Sequence, residues 1–173
     1  MTADGKTSAS VMRFRWVESP VGRLLIAGDG DGLRSIAFER EGHRCTPESD
    51  WVHDDGLLED PTAQLEAYFA GQLVSFDLDL APTGTEFQIA VWKAVEAIPY
   101  GETVSYGEIA TRIGRPAAVR AVGAANGANP LPIVIPCHRV IGRDGSLTGY
   151  GGGLDRKATL LELERSATRS RLF

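Results

Sequence analysis

From Met12 to Phe38 apolar and polar positions alternate: Phe14 and Trp16 fall on one face with Arg13 and Arg15 on the other, then come Leu24 and Ile26, then the run from Leu33 to Phe38. A period of two marks a half-buried strand, and the interruptions "SPVG" and "GDGDG" carry turn residues, so the pattern predicts a three-stranded antiparallel meander. An acidic linker through "DWVHDDG" follows. Helical spacing begins in "EDPTAQLEAYFAG", with Asp60 as the N-cap, Pro61 at the first helical position, Leu65, Tyr68 and Phe69 on one face, and Gly71 as the stop. The short, alternating "SFDLDL" is a candidate further strand.

"APTG" reads as a seam, and beyond it the periodicity is mainly helical. "TEFQIAVWKAVEAIP" opens with a capping box, Thr85 and Gln88, and places Phe87, Val91, Ala94, Val95 and Ile98 on one stripe until Pro99 ends it. A second capping box, Ser105 and Glu108, starts "SYGEIATRIG"; Gly114 closes it, and Pro116 starts the next helix, "PAAVRAVGAANGAN". Two short helices across a tight Gly-Arg-Pro turn predict a helix-turn-helix. The second is built almost wholly of alanine, glycine and valine, with Arg120 as its charge, so its backbone is open to close approach by a neighbouring helix or by something larger. After an Asp-Gly turn and a glycine run in "GRDGSLTGYGGG", a last helix from about Asp155 turns Ala158, Leu160 and Leu161 toward a core and carries Glu164 near its end. The elements predict an α+β fold in two lobes. Residues 1–83 form a small lobe with an antiparallel sheet and a helix, and residues 84–173 a mostly helical lobe with a winged-helix-like helix-turn-helix.

A chain of 173 residues is long enough to bury a real core, and 43% hydrophobic with 24% charged residues is ordinary for a soluble globular protein. No apolar run approaches the roughly 20 residues of a membrane helix. "MTADGKTSAS" has no apolar centre and reads as a frayed terminus rather than a signal peptide, which makes the cytoplasm the expected location. Charge is uneven. Residues 1–85 hold 7 Lys/Arg against 15 Asp/Glu, a net of −8, while residues 86–173 hold 11 against 8, a net of +3, so the second half alone can face a polyanion.

The chemistry concentrates in "LPIVIPCHRVIG". Cys137 follows an apolar run that reads as a strand, and three roles are open to it: inert core filler, nucleophile, or metal ligand. His138 and Arg139 would favour its thiolate, the reactive form. Pro132, Pro136 and Gly142 constrain the backbone around it. Successive side chains of a strand point to opposite faces, so His138 would act on Cys137 through a bridging water, and Glu164 is the candidate group to orient the histidine. The ligand types His43, Cys45 and His53 lack paired spacing, so no metal and no cofactor are expected. Two cysteines far apart in a cytosolic chain do not form a disulfide framework.

"IPCHRVIG", "GYGGGL" with the following "KATLLELE", and "SYGEIA" followed by the stretch from Val119 to Gly123 together resemble the O6-alkylguanine-DNA alkyltransferases. The resemblance covers residues 85–165 strongly and the amino-terminal lobe in outline. It implies a suicidal DNA repair protein that flips O6-alkylguanine, and O4-alkylthymine, out of duplex DNA and transfers the alkyl group irreversibly to its own Cys137. His138 is then the water-bridged base oriented by Glu164, Tyr106 the donor to guanine N3, and Asn129 the brace of the turn below the site. The carbonyls of Cys137 and Val140 accept the exocyclic amine, and Tyr150 and Gly151 line the base pocket, Gly151 standing where many relatives have serine. The helix-turn-helix enters the minor groove, with Arg120 filling the gap left by the flipped base. Ala121 and Gly123 let the helix lie close to the groove walls, and Arg115 is a candidate phosphate contact. The implied partner is double-stranded DNA, bound by a monomer, with cooperative assembly on DNA left open. Two rival classes are a turnover cysteine hydrolase and a non-enzymatic DNA sensor, and the presence of Cys137 argues against the second.

Overall fold

The computed structural model describes residues 10–39, 45–54 and 56–173. The expected meander is present as β1 (Arg13–Val17), β2 (Leu24–Asp29) and β3 (Gly32–Phe38), antiparallel, with Trp16 opposite Leu25 and Ile26 opposite Ile36. A bulge sits at Ala27/Gly28, where a Cβ on Gly28 would come within 2.7 Å of the Gly32 carbonyl oxygen, so the closeness of the two strands requires glycine. The linker hides a fourth strand: β4 (Val52–His53) adds in parallel to β1, the Val52 and Asp54 amides donating to the Met12 and Phe14 carbonyls, and the sheet order is β3-β2-β1-β4. "SFDLDL" forms no strand. Its Leu80 makes a single bridge to Leu33, because the amides and carbonyls on either side find no continuous edge to pair with.

Helix α1 (Glu59–Phe69) starts before the expected Asp60 cap. Residues 56–58 already turn, Leu58 is the N-cap without a side-chain bond, and Pro61 therefore lies inside the first turn, where its missing N–H is still harmless. Buried Asp54, paired with Arg15 at 3.2 Å, accepts the Leu58 amide instead. Leu65 and Tyr68 are buried, and Gly71, at φ 71°, ends the helix in the left-handed region.

Both capping boxes form: at the start of α2 (Glu86–Glu96) between Thr85 and Gln88, and at the start of α3 (Tyr106–Arg112) between Ser105 and Glu108. The α2 stripe buries Val91, Val95 and Ile98 as expected, and also Trp92, whose indole N–H donates to the Ala125 carbonyl at 2.8 Å. Helix α4 (Val119–Gly127) begins three residues after Pro116, because the Ala118 amide closes a tight turn on the Arg115 carbonyl before the first helical bond, Val122 to Ala118, is made. β5 (Val104–Ser105) pairs in parallel with β6 (Val140–Ile141), and α5 (Leu154–Arg171) ends the fold. On α5 the inward positions are Lys157, Leu160, Leu161 and Glu164; Ala158, expected inside, is exposed, because the inward stripe runs one position earlier. Apolar packing runs through the sheet, α1 and the helical half without a break, with Leu65 and Tyr68 in the same core as Ile98, Leu131 and Leu160. Among the described residues no helix is long and apolar enough to cross a membrane.

Candidate active site

Residues 131–140 are buried without exception, yet the expected strand does not form there. Pro132 and Pro136 remove two amide donors, Ile133 takes φ 78°, and the chain folds into a tight loop that leads into a single 3-10 turn, Cys137–Arg139. A β-branched residue in the left-handed region costs on the order of 1–3 kcal/mol, and such a cost persists where the surroundings over-determine it. Asn129 supplies part of that determination: its Nδ2 donates to the Ile135 carbonyl at 2.8 Å and its Oδ1 accepts the Leu131 amide at 2.9 Å. Asn126, which was not singled out from the sequence, adds a bond from its Nδ2 to the Cys137 carbonyl at 3.3 Å.

In a 3-10 turn neighbouring side chains diverge by about 120°. His138 therefore points away from the thiol for a different reason than strand alternation. Its Nε2 meets Glu164 Oε1 at 2.7 Å, and its Nδ1 is buried with no hydrogen-bond partner. With Glu164 holding Nε2–H, Nδ1 carries the free lone pair. Glu164 is completely buried and accepts from four residues: His138, the guanidinium of Arg139 through Nε and Nη2, the Gly101 amide, and the hydroxyl of Tyr68. Burial alone would raise its pKa, but the bonds from His138 and Arg139 outweigh that and hold it down to about 2. Arg139 completes its bonding at the Ile98 carbonyl, 2.6 Å.

This bonding corrects the expected electrostatics of Cys137. Arg139 is committed to Glu164, and burial dominates at the sulfur, pushing the thiol up to about 11 against the opposing pull of the Asn129 hydrogen bond and the Lys157 charge. The resting group is a thiol, and reaction at neutral pH requires a base. Burial likewise lowers the pKa of His138 in spite of Glu164, so the imidazole is neutral and able to accept a proton. The nearby cation is Lys157, buried on α5, which donates to the Val140 carbonyl at 2.6 Å and the Thr148 carbonyl at 2.9 Å.

Cys137, 6% exposed, opens onto a cavity of about 280 Å³. Its walls include Asn129, Pro132, Tyr150 and Gly151 and, from β3, Phe38. Phe38 packs edge-on to Tyr150 at 5.9 Å between centroids, so the sheet props the glycine loop that covers the cavity. A side chain at Gly151 would meet the Gly127 carbonyl at an ordinary 3.9 Å, so space does not enforce glycine there. The Tyr106 hydroxyl donates to the Thr148 carbonyl at 2.9 Å, at one edge of the site, where burial raises its pKa. Val140 does not line the cavity, and its carbonyl is engaged by Lys157.

Helix α4 presents the opposite character. Arg115, Arg120 and Ala121 are exposed, while half-buried Gly123 faces the Tyr106 ring, 3.9 Å from where a Cβ would stand. Among the described residues no three His, Cys, Asp or Glu side chains group as a metal site; Cys45 is a free, partly buried thiol, His53 lies exposed against the Asp54 carbonyl, and His43 lies outside the described residues.

Fold and site together define a class: an α+β protein with a helix-turn-helix, a buried thiol that opens on a cavity, and a buried histidine–carboxylate pair beside it in the chain. Family models place the chain further. Residues 12–82 match the ribonuclease-like domain, and residues 86–166 the DNA-binding domain, of 6-O-methylguanine DNA methyltransferase. The methylated-DNA--protein-cysteine methyltransferase of Methanosarcina acetivorans is 53% identical over 155 residues, 90% of this chain and 99% of that one. Among solved structures, the O6-methylguanine methyltransferase of Mycobacterium tuberculosis superposes with a TM-score of 0.84 at 51% identity, over 91% of this chain and 94% of that one. The M. tuberculosis OGT in complex with DNA gives a TM-score of 0.83 at 52% identity, over 90% of this chain and 94% of that one. The chain belongs to the 6-O-methylguanine DNA methyltransferase family.

Proposed function

We propose that this DNA repair protein uses Cys137 as the acceptor of the alkyl group, in one irreversible step with His138 as the base. The supporting observation is a thiol pushed up to about 11 that opens on a cavity, followed in the chain by a neutral histidine whose Nδ1 is buried without a hydrogen-bond partner. The thiol proton passes through a water to His138 Nδ1, and Glu164 stabilises the resulting imidazolium. The sulfur lone pair forms the S–C bond as the C–O6 bond breaks, and the electron pair of that bond leaves with guanine. Tyr106, exchanging the Thr148 carbonyl for guanine N3, offsets the charge on the leaving base, which then takes up a proton from solvent. The thioether product is inert to water, so each molecule repairs one lesion.

A base in a duplex shields its O6 from a buried thiol, so the nucleotide must leave the stack. Exposed Arg120 on the small-residue face of α4 is placed to enter the minor groove and fill the gap, Ala121 and Gly123 allow the close approach, and Arg115 contacts a phosphate. The protein acts as a monomer on O6-alkylguanine, and on O4-alkylthymine as a second substrate. Incubation with a duplex containing O6-methylguanine, followed by intact-mass and peptide analysis, should show a single gain of about 14 mass units on Cys137. Continued turnover, or unmodified protein beside unrepaired DNA, overturns the proposal.

A further inference from the structure

The carboxylate of Glu164 joins the two halves of the molecule. Its Oε1 accepts His138 Nε2–H at 2.7 Å and, at the same distance, the hydroxyl of Tyr68, 96 residues away on α1. Tyr68 is 1% exposed and Glu164 fully buried, so neither group can exchange this bond for water. The Tyr68 ring is fixed by edge-on contacts with Phe69 and Tyr100 and a tilted contact with Phe76. The titratable and charged groups around the relay come from four elements: Tyr68 on α1, Tyr100 after α2, Cys137 and Arg139 on the turn, and Lys157 and Glu164 on α5. Packing alone would be met by phenylalanine at position 68; the hydroxyl is placed on the same oxygen that orients the histidine.

We infer that Tyr68 is a positioning residue of the alkyl transfer, its hydroxyl setting how strongly Glu164 pulls on His138 and hence how readily His138 Nδ1 takes the thiol proton. The inference rests on the reading of Cys137 as acceptor and His138 as base. Three residues donate to that oxygen, His138 through Nε2–H, Tyr68 through its hydroxyl and Arg139 through Nη2 at 2.9 Å, and they divide its acceptor strength. With the phenol present, Glu164 orients His138 without drawing it into the imidazolium form before substrate arrives. Without the phenol, Oε1 is shared only with Arg139 and gives more of its strength to Nε2–H, the imidazolium is stabilised, and a larger share of molecules rest with Nδ1 already protonated and unable to act as base. The acid limb of the rate profile then moves to higher pH. A purely structural role would lower stability, or slow transfer equally at every pH, and leave the limb in place.

The test measures single-turnover transfer from a duplex containing O6-methylguanine over about pH 5 to 9, the range in which histidine titrates. Wild type, Tyr68→Phe and a protein carrying 3-fluorotyrosine at position 68 are compared. Tyr68→Phe should have its acid limb raised by about half a pH unit, so that on that limb it is slower than wild type by about threefold. Fluorotyrosine, a stronger donor in the same volume, should move the limb the other way, and the ring nitrogen resonances of His138 should follow in both proteins. Coincident acid limbs in the three proteins overturn the inference. If Tyr68→Phe does not fold, the fluorotyrosine protein decides: a limb that matches wild type overturns the inference. Failure of the wild type itself to take up the alkyl group would instead overturn the assignment of Cys137.

Discussion

Arg139 and Arg120 lie 19 positions apart in the sequence and are used in opposite ways. Arg139 is 6% exposed, with its guanidinium bonded to Glu164 and to the Ile98 carbonyl. Arg120 stands exposed on α4, and its side chain makes no hydrogen bond or ion pair among the described residues. The first arginine holds a carboxylate in place so that the neutral histidine next to the thiol in the chain can be oriented. The second is uncommitted in the free protein, which leaves it open to the DNA contact proposed above. On the proposed function, the difference separates machinery that must be satisfied before substrate arrives from contacts that only the substrate completes.

The largest effect expected from breaking this contrast is at Glu164. Replacing it by alanine strands the Arg139 guanidinium, the Tyr68 hydroxyl and His138 Nε2 in a dry interior, and removing one partner of a buried ion pair costs about 3–5 kcal/mol. Denaturant unfolding of Glu164→Ala at neutral pH should show a loss of that size; a loss under about 1 kcal/mol would mean the network contributes no net stability. The pH dependence follows from the sign of the shift. The Glu164 pKa is depressed from 4.5 to about 2, so its contribution is complete above about 4.5 and disappears as pH falls toward 2. The gap in stability between wild type and Glu164→Ala should therefore narrow across that acid window.

Arg120→Ala tests the other side. With no interaction inside the protein to lose, the variant should match wild type in stability within about 0.5 kcal/mol. Its transfer rate from duplex DNA should fall by ten- to a hundredfold, an effect on the order of 1–3 kcal/mol, with a much smaller loss on free O6-benzylguanine, which needs no flipping. Equal losses on both substrates would remove Arg120 from the flipping step and place it in the chemistry.

The same division explains what was legible in the sequence. Capping boxes, alternation and turn glycines are local signals, and they located the meander, α2 and α3 correctly. Boundaries were misread where a distant or turn contact intervened: Asp54 supports the start of α1 from outside the helix, and the Arg115 to Ala118 turn delays α4. The two-residue β4 carries too few positions to show a period. At the site, "PCHR" and Glu164 were readable, but the state of the thiol was not, because burial outweighs the charges that adjacency suggests. Tyr68 read as core, and in packing terms it is core; its hydroxyl bond spans 96 residues and has no local trace. Lys157 did leave a signal, since Lys157, Leu160, Leu161 and Glu164 follow helical spacing and so fall on one stripe of α5.

The smallest expected effect is at Arg115, and it sharpens the contrast within the surface proposed to face DNA. Its backbone is structural, donating to the Ala110 carbonyl and accepting the Ala118 amide, whereas its side chain is exposed between α3 and α4. Arg115→Ala keeps the backbone bonds and removes one positive charge, so folding stability should hold. A phosphate contact carries no sequence or lesion information. Its loss should weaken duplex affinity by about two- to fivefold at moderate salt, whatever the DNA sequence, and reduce the slope of log K against log salt by about one. Transfer at saturating DNA should be unchanged, since in the proposed arrangement Arg120, not Arg115, fills the gap left by the base. An unchanged salt slope would remove Arg115 from the phosphate track, and a slower transfer at saturation would assign it a share in the flipping step.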